Sequence, residues 1–141
     1  MFATAQRGIN VYASVGLETG VHAADPHQLI LMLFEGAMLA LADAKLHMGR
    51  RETAAKGLAL SKAINIIDSG LLASLNAKAG GQLGERLAAL YDYMCDRLLQ
   101  ANLHNRPELI DEVSRLLAEL RDAWAQIKPA AAATGSRTAP R

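Results

Sequence analysis

Residues 25–48, DPHQLILMLFEGAMLALADAKLHM, are apolar on nearly every side of a helix, and this constrains the fold more than any other stretch. Leu29, Ile30, Leu31, Met32, Leu33 and Phe34 are consecutive. Consecutive helical residues point in every direction, whereas a helix lying on the surface of a core shows one apolar stripe. This helix therefore needs cover on more than one side, from the rest of the chain or from a partner. Its start is marked by Asp25 as N-cap, Pro26 at the first helical position and Gln28 completing an Asp-x-x-Gln capping box. Gly49 follows, the residue type that most easily takes the left-handed position past a helix end.

The rest of the chain supplies more helices. Over residues 52–75, Leu60, Ile64, Ile67, Leu71 and Leu75 recur at three- and four-residue steps and predict a core stripe. Beside it run Ala59, Ala63, Ile66, Gly70 and Ala73, mostly small, which lets another helix approach closely. That stripe fits either packing within the body or a groove for a partner. Residues 76–81, NAKAGG, read as a break. A third helix follows over residues 82–104, with Leu83, Leu87, Leu90, Met94, Leu98 and Ala101 as its stripe and Tyr91 and Cys95 beside it. Tyr91 and Tyr93 lie two residues apart, so both cannot face the core. Asn105, with Glu108 three residues on, reads as the N-cap of a fourth helix. That helix carries Leu109, Val113, Leu116, Leu117, Leu120, Trp124 and Ile127 on one face, and Pro129 stops it.

Four long amphipathic helices with short connections predict an all-α fold, an antiparallel up-down-up-down four-helix bundle over residues 25–128. Residues 1–24 mix Gly8, Gly16 and Gly20 with Ile9, Val11, Tyr12, Val15, Leu17 and Val21. They predict a short helical or irregular N-terminal arm packed on the body. Residues 129–141 predict a disordered, low-complexity C-terminal tail.

Composition narrows the chemistry. Apolar residues make up 51% of the 141, aromatics 4%, and few are β-branched, which suits helices and one domain. The formal net charge is +1 with no block of like charge, which argues against a dedicated nucleic-acid binder. Cys95 is alone, so no intramolecular disulfide forms, and it reads as a buried, inert thiol. No apolar run is expected to approach the ~20 residues of a membrane span. The N-terminus lacks a basic region followed by an apolar core, so it does not read as a secretory signal, and the expected location is cytoplasmic. No glutamate has a histidine three residues later, and His-Glu-x-x-His and Cys-x-x-Cys are missing. His22, His27, His47 and His104 lie near predicted element ends and read as surface or capping residues. No nucleophile motif or phosphate-cradling loop is present, and Gly80-Gly81 is a turn. The residues thus describe a non-enzymatic interaction module without metal or cofactor and with excess apolar surface. A haem held by one Met and one His, or a metal, is the alternative within the same fold, and absorption spectra would reveal it.

Several phrases in order sharpen this reading. They are ADPHQLILMLFEGA over residues 24–37, KAINIID over 62–68, Gly80-Gly81, LYDYM over 90–94, QAN over 100–102, Glu112-Val113 with Leu116-Leu117, and Trp124. Together they resemble the flagellar export chaperone FliS family from about Tyr12 to Ile127. The family commonly has Ser where Asp25 stands, and both residues cap helices. The resemblance implies a cytoplasmic chaperone that binds the disordered C-terminal segment of flagellin. It would prevent premature polymerisation and help deliver flagellin to the flagellar type III export gate. A generic adaptor for another helical client is the alternative, which co-purification with flagellin would separate.

Apolar residues beyond one core stripe make helices two and three the expected flagellin-binding face. Ile64, Ile66, Ile67, Tyr91, Met94 and Cys95 are its expected contacts, together with the small stripe. In the arm, Ile9, Tyr12 and Val15 share a face at three-residue spacing, and Tyr12 matches an N-terminal tyrosine of the family. They are expected to cover the groove when flagellin is absent, or to dock at the export gate. Exposed apolar surface also predicts a weak homodimer of the free protein. No membrane insertion is expected.

Overall fold

Helix α1 (Pro26–Gly49) begins as expected: Asp25 is extended, its Oδ1 accepts the Gln28 N–H at 2.8 Å, and Pro26 opens the first turn. The computed structural model describes residues 25–78 and 80–127. Every regular element among the described residues is helical: α1, α2 (Thr53–Asn65), a π-helical segment (Ile66–Leu72), α3 (Ala73–Lys78), α4 (Gly81–His104) and α5 (Pro107–Gln126). The π segment joins α2 to α3 without a break, so these make four helical runs. The expected arm, with Ile9, Tyr12 and Val15, and the expected tail lie outside the described residues.

Helix α1 receives cover on two sides. It packs against α2 and the π segment on one and against α5 on the other. Helix α4 packs against α2, the π segment and α3, and also against α5. The enclosed core draws Leu33, Ala37 and Leu41 from α1, Leu60, Ile66 and Ile67 from the second run, Met94 and Leu98 from α4, and Ile110, Val113 and Leu117 from α5. Each of the Leu, Ile, Val and Met side chains among these contributes about 1.5–3 kcal/mol relative to exposure, against the entropy of ordering the chain. The third side of α1 stays open, with Leu39 67% and Leu46 49% exposed.

The small-residue stripe is where α1 and the second run meet. A Cβ on Gly70 would stand 3.1 Å from Leu33 Cδ2, and one on Gly36 would stand 3.6 Å from Ile66 Cδ1. Ala63 and Gly70 are buried there. The stripe therefore serves packing within the chain. The run Thr53–Leu75 is also long and apolar enough on average to cross a membrane. Its Leu60, Ala63, Ile66, Ile67 and Leu71 are committed to the core, which accounts for that composition.

Several ends differ from the sequence reading. Gly49 is the last residue of α1, and the left-handed position falls on Arg51, φ 59°. Glu52 N–H donates to His47 O at 2.9 Å and Arg51 N–H to Met48 O at 3.1 Å, a Schellman closure. Asn105 is the left-handed residue that ends α4, φ 53°, not the N-cap of the next helix, and Arg106 N–H closes on Ala101 O at 3.1 Å. With so few residues between the two helices, one Asn suits either end, and local pattern did not separate the two roles. Leu83, expected in the core stripe of α4, is 69% exposed, and Gly84 is the buried residue of that turn.

Candidate functional site

The seam between the second run and α4 is held at one end by a buried lysine. Lys56, in the first turns of α2, is 4% exposed and donates from Nζ to Asn102 O at 3.0 Å and Asn105 Oδ1 at 2.6 Å. Asn102 lies in the last turn of α4, where carbonyls lack helical partners and a cation suits the helix dipole. Midway along the seam, the Cys95 thiol points to Ile64 O at 4.0 Å. Asp68 and Asp92 flank Cys95 from the two sides. Burial pushes its thiol up to about 12, with the negative charges of Asp68 and then Asp92 adding to the shift. Tyr91 is likewise raised to about 12, by burial.

Of the six expected contact residues, Cys95 and Ile64 meet across this seam, whereas Ile66 is turned toward Gly36 of α1. Ile66, Ile67 and Met94 are fully enclosed, and Tyr91 is buried beside them. Ile64 and Cys95 are half-buried and pack on the core from its rim. Ile64 and Cys95 thus form the accessible layer, and the other four lie beneath it. Tyr93, on the other face of α4, is exposed, as the two-residue spacing from Tyr91 requires.

Sequence reasoning missed the outer layer of α4. Leu99 is 55% and Leu103 72% exposed. With Cys95 they recur at four-residue steps, and that spacing was the available signal. It was masked because Asp92 and Asp96 share the face. Gly57, next to Lys56 on α2, has nothing within 4 Å of where its Cβ would stand. Among the described residues neither Asp68 nor Asp92 forms an ion pair.

Two further clusters hold α5. His27 Nε2 and Trp124 O are 2.8 Å apart, Trp124 Nε1 donates to His27 O at 3.0 Å, and the rings stack at 5.0 Å. On the α4–α5 side, Glu112 accepts from Tyr93 Oη and, at 2.9 Å, from Arg97 Nε. The Arg97 guanidinium also lies over the Tyr93 ring, 5.6 Å from its centroid. The Tyr93 hydrogen bond, then Arg97, hold the Glu112 carboxyl below its ordinary range. The same hydrogen bond raises the Tyr93 hydroxyl. Among the described residues no group of His, Cys, Asp or Glu is arranged to hold a metal. The arrangement is a packed helical body with Leu99 and Leu103 exposed on α4 and with Asp68 and Asp92 exposed near Cys95.

A family model described as flagellar protein FliS matches residues 8–131. The chain is 52% identical over 130 residues to the flagellar secretion chaperone FliS of Salmonella typhimurium, covering 92% of this chain and 96% of that protein. It is 45% identical over 120 residues to the flagellar secretion chaperone FliS of Escherichia coli K12, covering 85% and 88%. With the same-named protein of Bacillus subtilis 168 it shares 35% identity over 109 residues, covering 77% and 80%.

Proposed function

We propose, because the chain belongs to the FliS family of flagellar proteins, that it is a cytoplasmic chaperone of flagellar secretion with flagellin as its client. It binds the disordered C-terminal segment of flagellin, keeps that segment from polymerising early, and helps deliver it to the type III export gate. The observation that carries this reading is the seam between the second run and α4. There, Leu99 and Leu103 stand exposed on α4, on the same helix face as half-buried Cys95, whose thiol meets Ile64 O. Ordering a disordered segment costs roughly 2–5 kcal/mol, so the client needs an extended apolar surface of this kind. Ile64 and Cys95 form its first contacts, and Ile66, Ile67, Tyr91 and Met94 give the seam its shape from below. No bond is made or broken; binding free energy is sufficient.

The proposed frame is an antiparallel up-down-up-down bundle. Cross-contacts support it by joining starts to ends: His27 with Trp124, Lys45 with Asp111 at 2.8 Å, and Lys56 with Asn102. The proposed arm, with Ile9, Tyr12 and Val15, covers the apolar seam in the free chain, where exposed surface would otherwise favour a weak homodimer. Titration of the full chain with a flagellin C-terminal peptide tests the function, with saturable 1:1 binding as the expected outcome. Absence of binding would reject flagellin as client. Deleting residues 1–15 should leave peptide affinity unchanged or tighten it. A loss of affinity with the fold intact would show that the arm contacts flagellin, and lost export at unchanged affinity would place the arm at the gate.

A further inference from the structure

We infer that the end of α5, residues 118–127, is a strap that opens and closes on the body as one unit, with the contact between His27 and Trp124 as its catch. The two parts of α5 are held very differently. Its fully buried residues, Leu109, Ile110, Val113 and Leu117, all come before residue 118. Glu112 fastens the same part through Tyr93 and Arg97. Beyond Leu117 no side chain is fully buried, and Leu120 and Trp124 rest on the core only from its rim. The last turn carries no basic residue, and Arg121 just before it is paired with Asp122 at 2.9 Å. The strap's own side chains therefore do little to offset the helix dipole at this end.

Among the described residues, the strap's two long-range hydrogen bonds are both made with His27. His27 Nε2 donates to Trp124 O at 2.8 Å, and Trp124 Nε1 donates to His27 O at 3.0 Å, with the rings stacked between them. His27 stands in the first turn of α1, whose start is capped by Asp25, so the catch is set on a fixed helix end. A segment with few buried contacts opens at a lower free energy than the core. Here the catch lies near the free end, so the turns before it cannot leave until it lets go, and opening involves the whole strap. Helix α5 runs back along α1, from Asp111 beside Lys45 to Trp124 beside His27. The strap therefore lies over the first turns of α1, where Ile30 and Leu31 stand half-buried one turn past His27. Opening uncovers apolar surface there that the closed chain covers, a minor state that differs from the major one in what it exposes.

The test is residue-resolved hydrogen exchange of the full chain, read by NMR. Amides of the strap should share one opening free energy, with a step in protection after Leu117. His27→Ala should quicken exchange across the strap about tenfold and leave residues 109–117 unchanged. Trp124 is the one tryptophan, so its emission should shift to the red in that variant, and a dye that fluoresces on apolar surface should bind more. Trp124→Phe keeps a ring to stack and should quicken exchange less. Should His27→Ala fail to fold, Trp124→Phe decides by the same comparison of the two parts of α5. Exchange that rises residue by residue toward Ile127 is ordinary fraying and overturns the inference. Equal quickening of residues 109–117 overturns it too, since the catch would then belong to the global core. Faster strap exchange without a gain in dye binding does the same, because no surface would have been uncovered.

Discussion

Cys95 shows how far one residue can be read from its neighbours. As a lone cysteine among apolar residues it reads as inert, and its position supplies the cause: a half-buried thiol beside two aspartates. A shift from 9.0 to about 12 leaves roughly a thousandfold less thiolate at neutral pH. Alkylation of the folded chain at pH 8 should therefore be slower by about that factor than after denaturation, as timed thiol titration would show. Trp124 was legible as a core-facing residue, but its reciprocal bonding with His27 was not, since 97 residues separate them. Trp124→Phe keeps a ring to stack and removes the N–H donated to His27 O. It should cost about 1 kcal/mol in urea unfolding followed by circular dichroism. Glu112 bears on acid stability. Its folded carboxyl is depressed, so its contribution is present above the ordinary carboxylate range and is lost as pH falls through the folded value. Glu112→Gln should flatten that part of the stability–pH curve.

At the scale of elements, periodicity located all four helical runs but not how they begin, end or deviate. Helix ends depend on backbone closures such as Glu52 N–H to His47 O, and these place Arg51 rather than Gly49 in the left-handed position. The π segment over Ile66–Leu72 is invisible to an apolar pattern, because its buried Ile66, Ile67, Gly70 and Leu71 keep helical spacing. Gly70 lies in that segment under Leu33, and Gly70→Val should cost about 3 kcal/mol through overpacking. Gly70→Ala, with contacts of 3.1 and 3.3 Å to flexible Leu33 methyls, should cost much less. Lys56, whose role no local pattern signals, fastens the start of α2 to the end of α4. Lys56→Met retains the aliphatic stem and leaves Asn102 O without its donor. It should destabilise the chain by about 2 kcal/mol, read from the denaturation midpoint.

For the whole molecule, the depth of each residue decides which substitution reports on binding. Ile66→Asp, attractive on the sequence as a probe of the client face, places a carboxylate at a position that is 0% exposed. It should unfold the chain or cost several kcal/mol before any client is added. Leu99 is the better probe because it is exposed. Pro129 follows the last described helix, and a chain ending there should match the full chain in melting temperature and peptide affinity. A large loss of affinity would show that the tail takes part in binding.

The sequence by itself determined the all-helical class, the capped start of α1, the run lengths and the family, because all of these rest on local spacing and composition. It also determined that α1 needs cover on two sides. Only the tertiary structure decided which stripes face one another. It turned the small residues of the second run toward Leu33, sank Ile66, Ile67 and Met94 into the core, and left Leu99 and Leu103 outside. The physical reason is that a helix carrying apolar residues on more than one face has several ways to be buried. The choice among them is a property of packing between distant segments, which no local pattern encodes.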